Sequence, residues 1–239
     1  MDRFAELQAV GLSLHAVLDV TALPASVQAG LGLPPDELAR YPRLVLIGHA
    51  GRAFWSALKA RGLHGSDPVD TFVQEQVGAW MARQPGEPTW WLVFPGAAPV
   101  GLQALGALAG WHHPSPFWVG VQAEWGSWYA YRAVVLVSEP WPLTLPQRAE
   151  SPCLSCAAQP CVSACPAQAL SGEPVQHRAG LQACVDHRLQ AASPCADRCL
   201  ARQACPVGAE HRYTDEQTAY HYLQSLPALR AWVAQRLAA

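Results

Sequence analysis

All eight cysteines of this 239-residue chain fall in its last third, and no other feature constrains the fold so strongly. The first set reads Cys153-x2-Cys156-x4-Cys161-x3-Cys165-Pro166, and the second is Cys184, Cys195, Cys199 and Cys205-Pro206. A disulfide framework requires an oxidising compartment, whereas Asp2 and Glu6 stand where a secretory leader carries basic residues. Zinc favours paired Cys-x2-Cys knuckles with a nearby histidine, and the second set contains no such pair. Buried structural thiols would not cluster this way, and two metal–sulfur centres compete with zinc, with disulfides and with one centre beside decayed ligands as readings of the pattern. The prolines after Cys165 and Cys205 remove a backbone donor and fix φ, turning the chain away from each sulfur.

The pattern resembles that of bacterial ferredoxins, in which three close thiolates bind one cubane and a fourth, Cys-Pro thiolate reaches the other. That resemblance implies two 4Fe–4S clusters and a crossed ligand set. Cys153, Cys156, Cys161 and Cys205 are expected at one cluster, and Cys165, Cys184, Cys195 and Cys199 at the other. Unlike two matched ferredoxin runs, the second set is asymmetric, with Cys184 eleven positions before Cys195.

Composition narrows the partners. A net charge of −2 and a single lysine, Lys59, argue against a phosphate-binding surface, so no nucleic acid is expected. No apolar run approaches the ~20 residues of a membrane span. Oxygen-sensitive clusters without an export signal place the protein in the cytoplasm. A 51% hydrophobic content with 10 Trp is enough for a substantial core.

The cysteine-free part alternates helical and extended patterns, an α/β (α+β) organisation. Phe4, Leu7, Gly11, Leu14 and Leu18 recur at helical spacing and predict an amphipathic helix over residues 3–21. Arg43 to Gly48 reads as a buried strand, Ala50 to Arg61 as a helix stopped by Gly62, and Asp67-Pro68 as the capped start of a helix through about Arg83. Thr89 to Phe94 predicts another strand and Val100 to Ala109 a helix of small residues. Phe117 to Gln122 and Trp128 to Val137, flanking Glu124-Trp125-Gly126-Ser127, predict an antiparallel hairpin. Pro140, Pro142, Pro146 and Pro152 mark a linker, dividing the chain into domains 1–145 and 146–239. Thr214-x-x-Gln217 is a capping box opening a C-terminal helix that Pro227 should interrupt.

Two further resemblances follow. A lone cysteine before a final Cys…Cys…Cys-Pro group resembles the cluster domain of epoxyqueuosine reductase and the reductive dehalogenases, which are cobalamin-dependent iron–sulfur enzymes. Spacings here are looser, with four residues before Cys161, three before Cys199 and five before Cys205. Asp67-Pro68-Val69-Asp70 before a helix, with Gly126-Ser127-Trp128-Tyr129-Ala130-Tyr131-Arg132-Ala133-Val134-Val135-Leu136, resembles the cobalamin-processing CblC family, a relative of flavin nitroreductases.

Together these imply a nitroreductase-like corrin-binding domain followed by a ferredoxin-like domain with two clusters. They imply an enzyme, an iron–sulfur oxidoreductase that binds a corrinoid (cobalamin) and reduces or processes its cobalt. An external donor such as flavodoxin, ferredoxin or a reductase would supply the electrons. The resemblance places the corrin wall at Pro99, Gly110, Trp111, His112 and Val121, with His113 a competing histidine. The alternatives are an epoxyqueuosine reductase-like tRNA-modification enzyme, or a ferredoxin-type electron carrier without corrinoid. The reductase family carries an acidic proton donor before a Gly-Leu-Gly-Trp-Ile-Gly-Lys type motif. The matching Gly101-Leu102-Gln103-Ala104-Leu105-Gly106 contains neither acid nor lysine. Arg132, between apolar neighbours, is expected to pair with a carboxylate or a corrin amide.

Overall fold

A computed structural model describes residues 2–146, 149–170 and 178–237. They separate into two compact units, Met1–His112 with Tyr129–Ala149, and His113–Trp128 with Glu150–Ala239.

In the first unit a short helix α1 (Ala5–Ala9) precedes strand β1 (Leu14–Asp19), the short helices α2 (Ala25–Ala29) and α3 (Pro35–Leu38), and strand β2 (Arg43–Ala50). Helices α4 (Ala53–Arg61) and α5 (Pro68–Met81), strand β3 (Trp90–Phe94), helix α6 (Leu102–Leu108) and strand β4 (Tyr129–Val137) follow. The strands form one antiparallel sheet in the order β1-β2-β4-β3, with Leu46 opposite Val134 at its centre. Successive residues of a strand face opposite sides. Leu44, Leu46, Val134 and Leu136 therefore pack with Val27, Leu31 and Leu105 from α2, its following loop and α6. Val45, Ile47, Ala133 and Val135, also fully buried, point to the side where α4 packs on β2 and α5 on β4. Burial on both faces explains why β2 and β4 read as continuous apolar runs rather than alternating ones.

Two expectations give way here. Residues 3–21 are not one helix. The chain turns at Gly11, whose φ of +80° suits glycine and where a Cβ would meet the Phe54 backbone nitrogen at 2.2 Å. Beyond it, Leu14 to Asp19 pair with β2 from Leu14 opposite Gly48 to Asp19 opposite Arg43. The edge of β2 supplied backbone partners that the local apolar spacing could not reveal. Nor do residues 117–122 form a hairpin with 128–137, because β4 spends its edges on β2 and β3. Only the isolated bridges His113 to Val121 and Gln122 to Gly126 occur there.

Other helix boundaries of the first unit follow their sequence signals. Gly62 ends α4 at φ +98°, and Pro68 occupies the first turn of α5. Asp67, however, makes no side-chain cap, and its carbonyl instead accepts from the Thr71 N–H. In the proline-rich stretch Trp141 is buried, and Thr144 exchanges hydrogen bonds with Val17, its Oγ1 accepting at 3.0 Å.

The second unit carries α7 (Pro160–Ser163), α8 (Arg178–Leu189), α9 (Leu200–Ala204) and α10 (Asp215–Leu237). Thr214 Oγ1 accepts from the Gln217 N–H at 3.1 Å, one half of the expected capping box. Contrary to expectation, α10 runs on through Pro227. A proline costs the helix the bond to the carbonyl four residues earlier, here that of Leu223, which is 49% exposed and open to water.

Candidate metal centres

The eight thiols divide into two rings of four, each around its own cavity. Cys153, Cys156, Cys161 and Cys205 line the first, and Cys165, Cys184, Cys195 and Cys199 the second. Two very short helices produce this crossing. Pro160 opens α7, which carries Cys161 inside and Cys165 just beyond its end. Cys199 is the N-cap of α9 and Cys205 its C-cap. The two helices pack together, so each delivers one thiol to each cavity. Cys153 and Cys156 lie on one turn, the Cys156 N–H donating to the Cys153 carbonyl at 3.3 Å. Cys184 projects from α8.

Burial and mutual proximity make these thiols reluctant to ionise by themselves. The Cys161 thiol is pushed up to about 11, first by burial and then by Cys205 and Cys153 beside it. Cys184 is also raised to about 11, by burial and then by Cys199. Such a ring is costly as bare thiolates and is stabilised once cations take the place of the protons. Among the described residues no three Cys, His, Asp or Glu side chains converge as they would around one ion. The donor set of each ring fits a four-iron cubane: four soft sulfur ligands and, among the described residues, no competing carboxylate in the cavity wall.

The two cavities differ. The first is narrow, about 20 Å³, with an apolar wall that includes Phe117, Pro160 and Val207. The second is roomier, about 260 Å³, and its wall includes Arg188, Arg198 and Tyr222. Burial pushes the Tyr222 phenol up to about 12, keeping it neutral. Phe117 lines both cavities and packs among Cys161, Ala201 and Cys205. It reaches them from the 113–128 segment, which Arg202 of α9 secures. The Arg202 guanidinium donates to the Ser127 hydroxyl at 3.2 Å and to the Ser127 carbonyl, and lies 4.5 Å from the Trp128 ring centre. Gly126 approaches so closely that a Cβ would sit 2.0 Å from the Val207 carbonyl oxygen.

Sequence reading passed over Phe117, Tyr222 and Arg188. Only Arg188 left a trace, because Cys184-x3-Arg188 places both side chains on one face of a helix.

The five residues expected to bind a corrin are divided between the two units. Pro99, Gly110, Trp111 and His112 belong to the first unit and Val121 to the second. Pro99 is exposed and Gly110 has φ +77°. The Trp111 ring stacks on Tyr131 at 6.4 Å and 13°, which occupies one of its faces. Val121 is fully buried and exchanges both backbone hydrogen bonds with His113. Arg132 donates from Nε to His49 Nδ1 at 2.9 Å, and its charge also opposes the upward shift that burial imposes on half-buried Asp70.

No protein-family model matches the chain, and no curated protein matches it in sequence. Its fold is similar to that of epoxyqueuosine reductases. The enzyme from Bacillus subtilis, solved with its catalytic loop swung out of the active site, aligns with a TM-score of 0.54 and 15% identity over 90% of this chain and 66% of that one. A selenomethionine-labelled epoxyqueuosine reductase gives 0.54 and 14% over 89% and 66%. An epoxyqueuosine reductase with a tRNA-Tyr epoxyqueuosine-modified stem loop gives 0.57 and 14% over 91% and 67%. The chain thus spans about two thirds of the length of these structures, and at such identities the likeness is one of fold. The last of them corrects the expectation that nucleic acid has no place here. That expectation rested on a low count of basic residues, yet this fold accommodates a tRNA stem loop in a solved relative.

Proposed function

We propose that this chain is an iron–sulfur oxidoreductase of the epoxyqueuosine reductase type, reducing a modified nucleoside carried on RNA. The observation that carries the reading is the parting of eight thiols into two crossed rings of four, in a chain whose fold is that of the reductases. Cys153, Cys156, Cys161 and Cys205 would hold one 4Fe–4S cluster, and Cys165, Cys184, Cys195 and Cys199 the other. Bound clusters supply single electrons at low potential. The chain's own residues bind them, exclude water with Phe117 and fix the polypeptide around them with Arg202.

This reading replaces corrinoid processing as the leading function. A corrinoid enters it as a further cofactor, implied by the motif resemblance, and no step depends on it. The proton source differs from the family's pattern, since α6 and its approach carry no acid between Gly101 and Gly106.

The test is anaerobic reconstitution, metal analysis and incubation with epoxyqueuosine-containing tRNA and a chemical reductant, with and without cobalamin, followed by nucleoside analysis. About eight irons and eight sulfides per chain are expected, with loss of the epoxide from the nucleoside. Full cluster content with an unchanged nucleoside in both arms would overturn the substrate, and absence of iron would overturn the reading altogether. Ligand crossing is checked separately by electron paramagnetic resonance. Cys205→Ala should lose the same signal as Cys153→Ala, not the signal lost by Cys195→Ala.

A further inference from the structure

We infer that Arg188 makes the two clusters unequal, holding the one at Cys165, Cys184, Cys195 and Cys199 at the higher reduction potential. This rests on the two-cluster reading proposed above. The Arg188 guanidinium is in the wall of the second cavity, one helical turn after Cys184 on α8. Its position is over-determined. It donates to the Cys195 carbonyl at 3.2 Å, to the Tyr222 carbonyl at 3.1 Å and to Ser225 Oγ at 3.0 Å, and it lies 4.9 Å from the Tyr222 ring centre. None of these partners is a carboxylate, and among the described residues no acid pairs with Arg188, so its positive charge stands beside the thiol ring. Arg198, in the same wall, is different: Asp197 at 2.9 Å and Asp215 at 3.8 Å offset its charge.

Among the described residues, no charged side chain lines the first cavity. Arg212 is nearby, donating to the Cys205 carbonyl at 3.1 Å, but it does not line that cavity. Reducing a cubane adds one negative charge and breaks no ligand bond. A fixed cation at the cavity wall therefore stabilises the reduced state, and more strongly in low-dielectric surroundings than in water. The first electron to enter the protein settles on the second cluster, and the first cluster, once reduced, is the stronger reductant.

The experiment is a mediated redox titration of the two-cluster protein, read by electron paramagnetic resonance, on wild type, Arg188→Lys and Arg188→Gln. Cys153→Ala and Cys184→Ala identify which signal belongs to which cluster. Wild type should show two midpoints with the second cluster higher. Arg188→Gln should lower that midpoint and leave the other in place, while Arg188→Lys should retain most of the gap. Unmoved midpoints, or both moving together, would overturn the inference. So would a fall to about four irons per chain in both Arg188 variants, which would make the residue a structural clamp on Cys195. A wild type without clusters would instead sink the two-cluster reading itself.

Discussion

The two compact units differ in what their interiors are made of. The first is built around a sheet whose central strands bury Leu44, Leu46, Ile47, Val134 and Leu136 completely, with Phe54, Trp80 and Met81 packed from the helices. The second has a sparse apolar interior. Its ten buried apolar residues among those described are Phe117, Val121, Trp128, Cys161, Ala169, Val185, Cys195, Ala201, Cys205 and Tyr213, and three of the ten are cysteines. On the proposed reading, a core in which sulfur ligands take the place of leucine and isoleucine would obtain its cohesion from metal. The first unit is held by surface removed from water, about 25 cal/mol per Å², and the second, with clusters bound, would be held by ligand bonds that also close the chain on itself.

Removing the iron is the strongest way to break this comparison. Chelation under reducing conditions should unfold the second unit and leave the first standing. Hydrogen exchange reads both at once, with amide protection retained in β2 and β4 and lost around α7 and α9. Equal loss in both units would show that one cooperative structure depends on metal throughout.

Phe117→Ala should cost about 3–5 kcal/mol, the usual range for truncating a buried phenylalanine. Because Phe117 lines both cavities, both clusters should become more labile to oxygen, while denaturation of the first unit stays unchanged. Damage to a single cluster would place the ring at one site alone.

A pH experiment probes the first unit. His15, mostly buried and stacked on Phe4 at 4.3 Å, is lowered to about 4 by burial, from 6.5. The unfolded chain then binds a proton that the folded chain refuses. The associated stability is full above pH 6.5 and is lost as the pH falls toward 4. At 1.36 kcal/mol per pKa unit the loss is about 3 kcal/mol. Chemical denaturation of wild type against His15→Gln across that window should show the difference, and parallel pH profiles would refute it.

The smallest effect is expected at Gly126. Its φ of +56° and the crowding against Val207 should make Gly126→Ala cost about 1–3 kcal/mol, confined to the second unit. Cluster content at room temperature should survive, with a lower melting midpoint read from cluster absorbance.

Much of the site was legible in the residues because its chemistry is local. The resemblance to ferredoxin spacing, with the prolines at 166 and 206, implies a crossed grouping of thiols, and the two cavities divide the eight in the same way. The strands β2, β3 and β4 were legible as apolar runs, and Gly62 and Pro68 as helix boundaries. β1 was not, because residues 14–19 satisfy a helical spacing as well as an extended one, and only an unfilled edge of β2 chooses between them. The corrin residues were placed by analogy with a motif, and the core contact of Trp111 with Tyr131 is a long-range packing fact that no motif contains.

What the sequence determined by itself was the inventory: eight thiols in two clustered sets, and enough apolar residues for one sheet-centred core. What only the tertiary structure decided was environment. Phe117 arrives at both cavities from a segment that precedes the first cysteine by more than thirty residues. Arg188 is anchored by two carbonyls and a hydroxyl from two separate stretches of chain, the Cys195 turn and α10. Ligand identity is a property of side chains and spacing. Dielectric surroundings, uncompensated charge and the exclusion of water belong to the packed whole, because they depend on which atoms lie close in space whatever their distance along the chain.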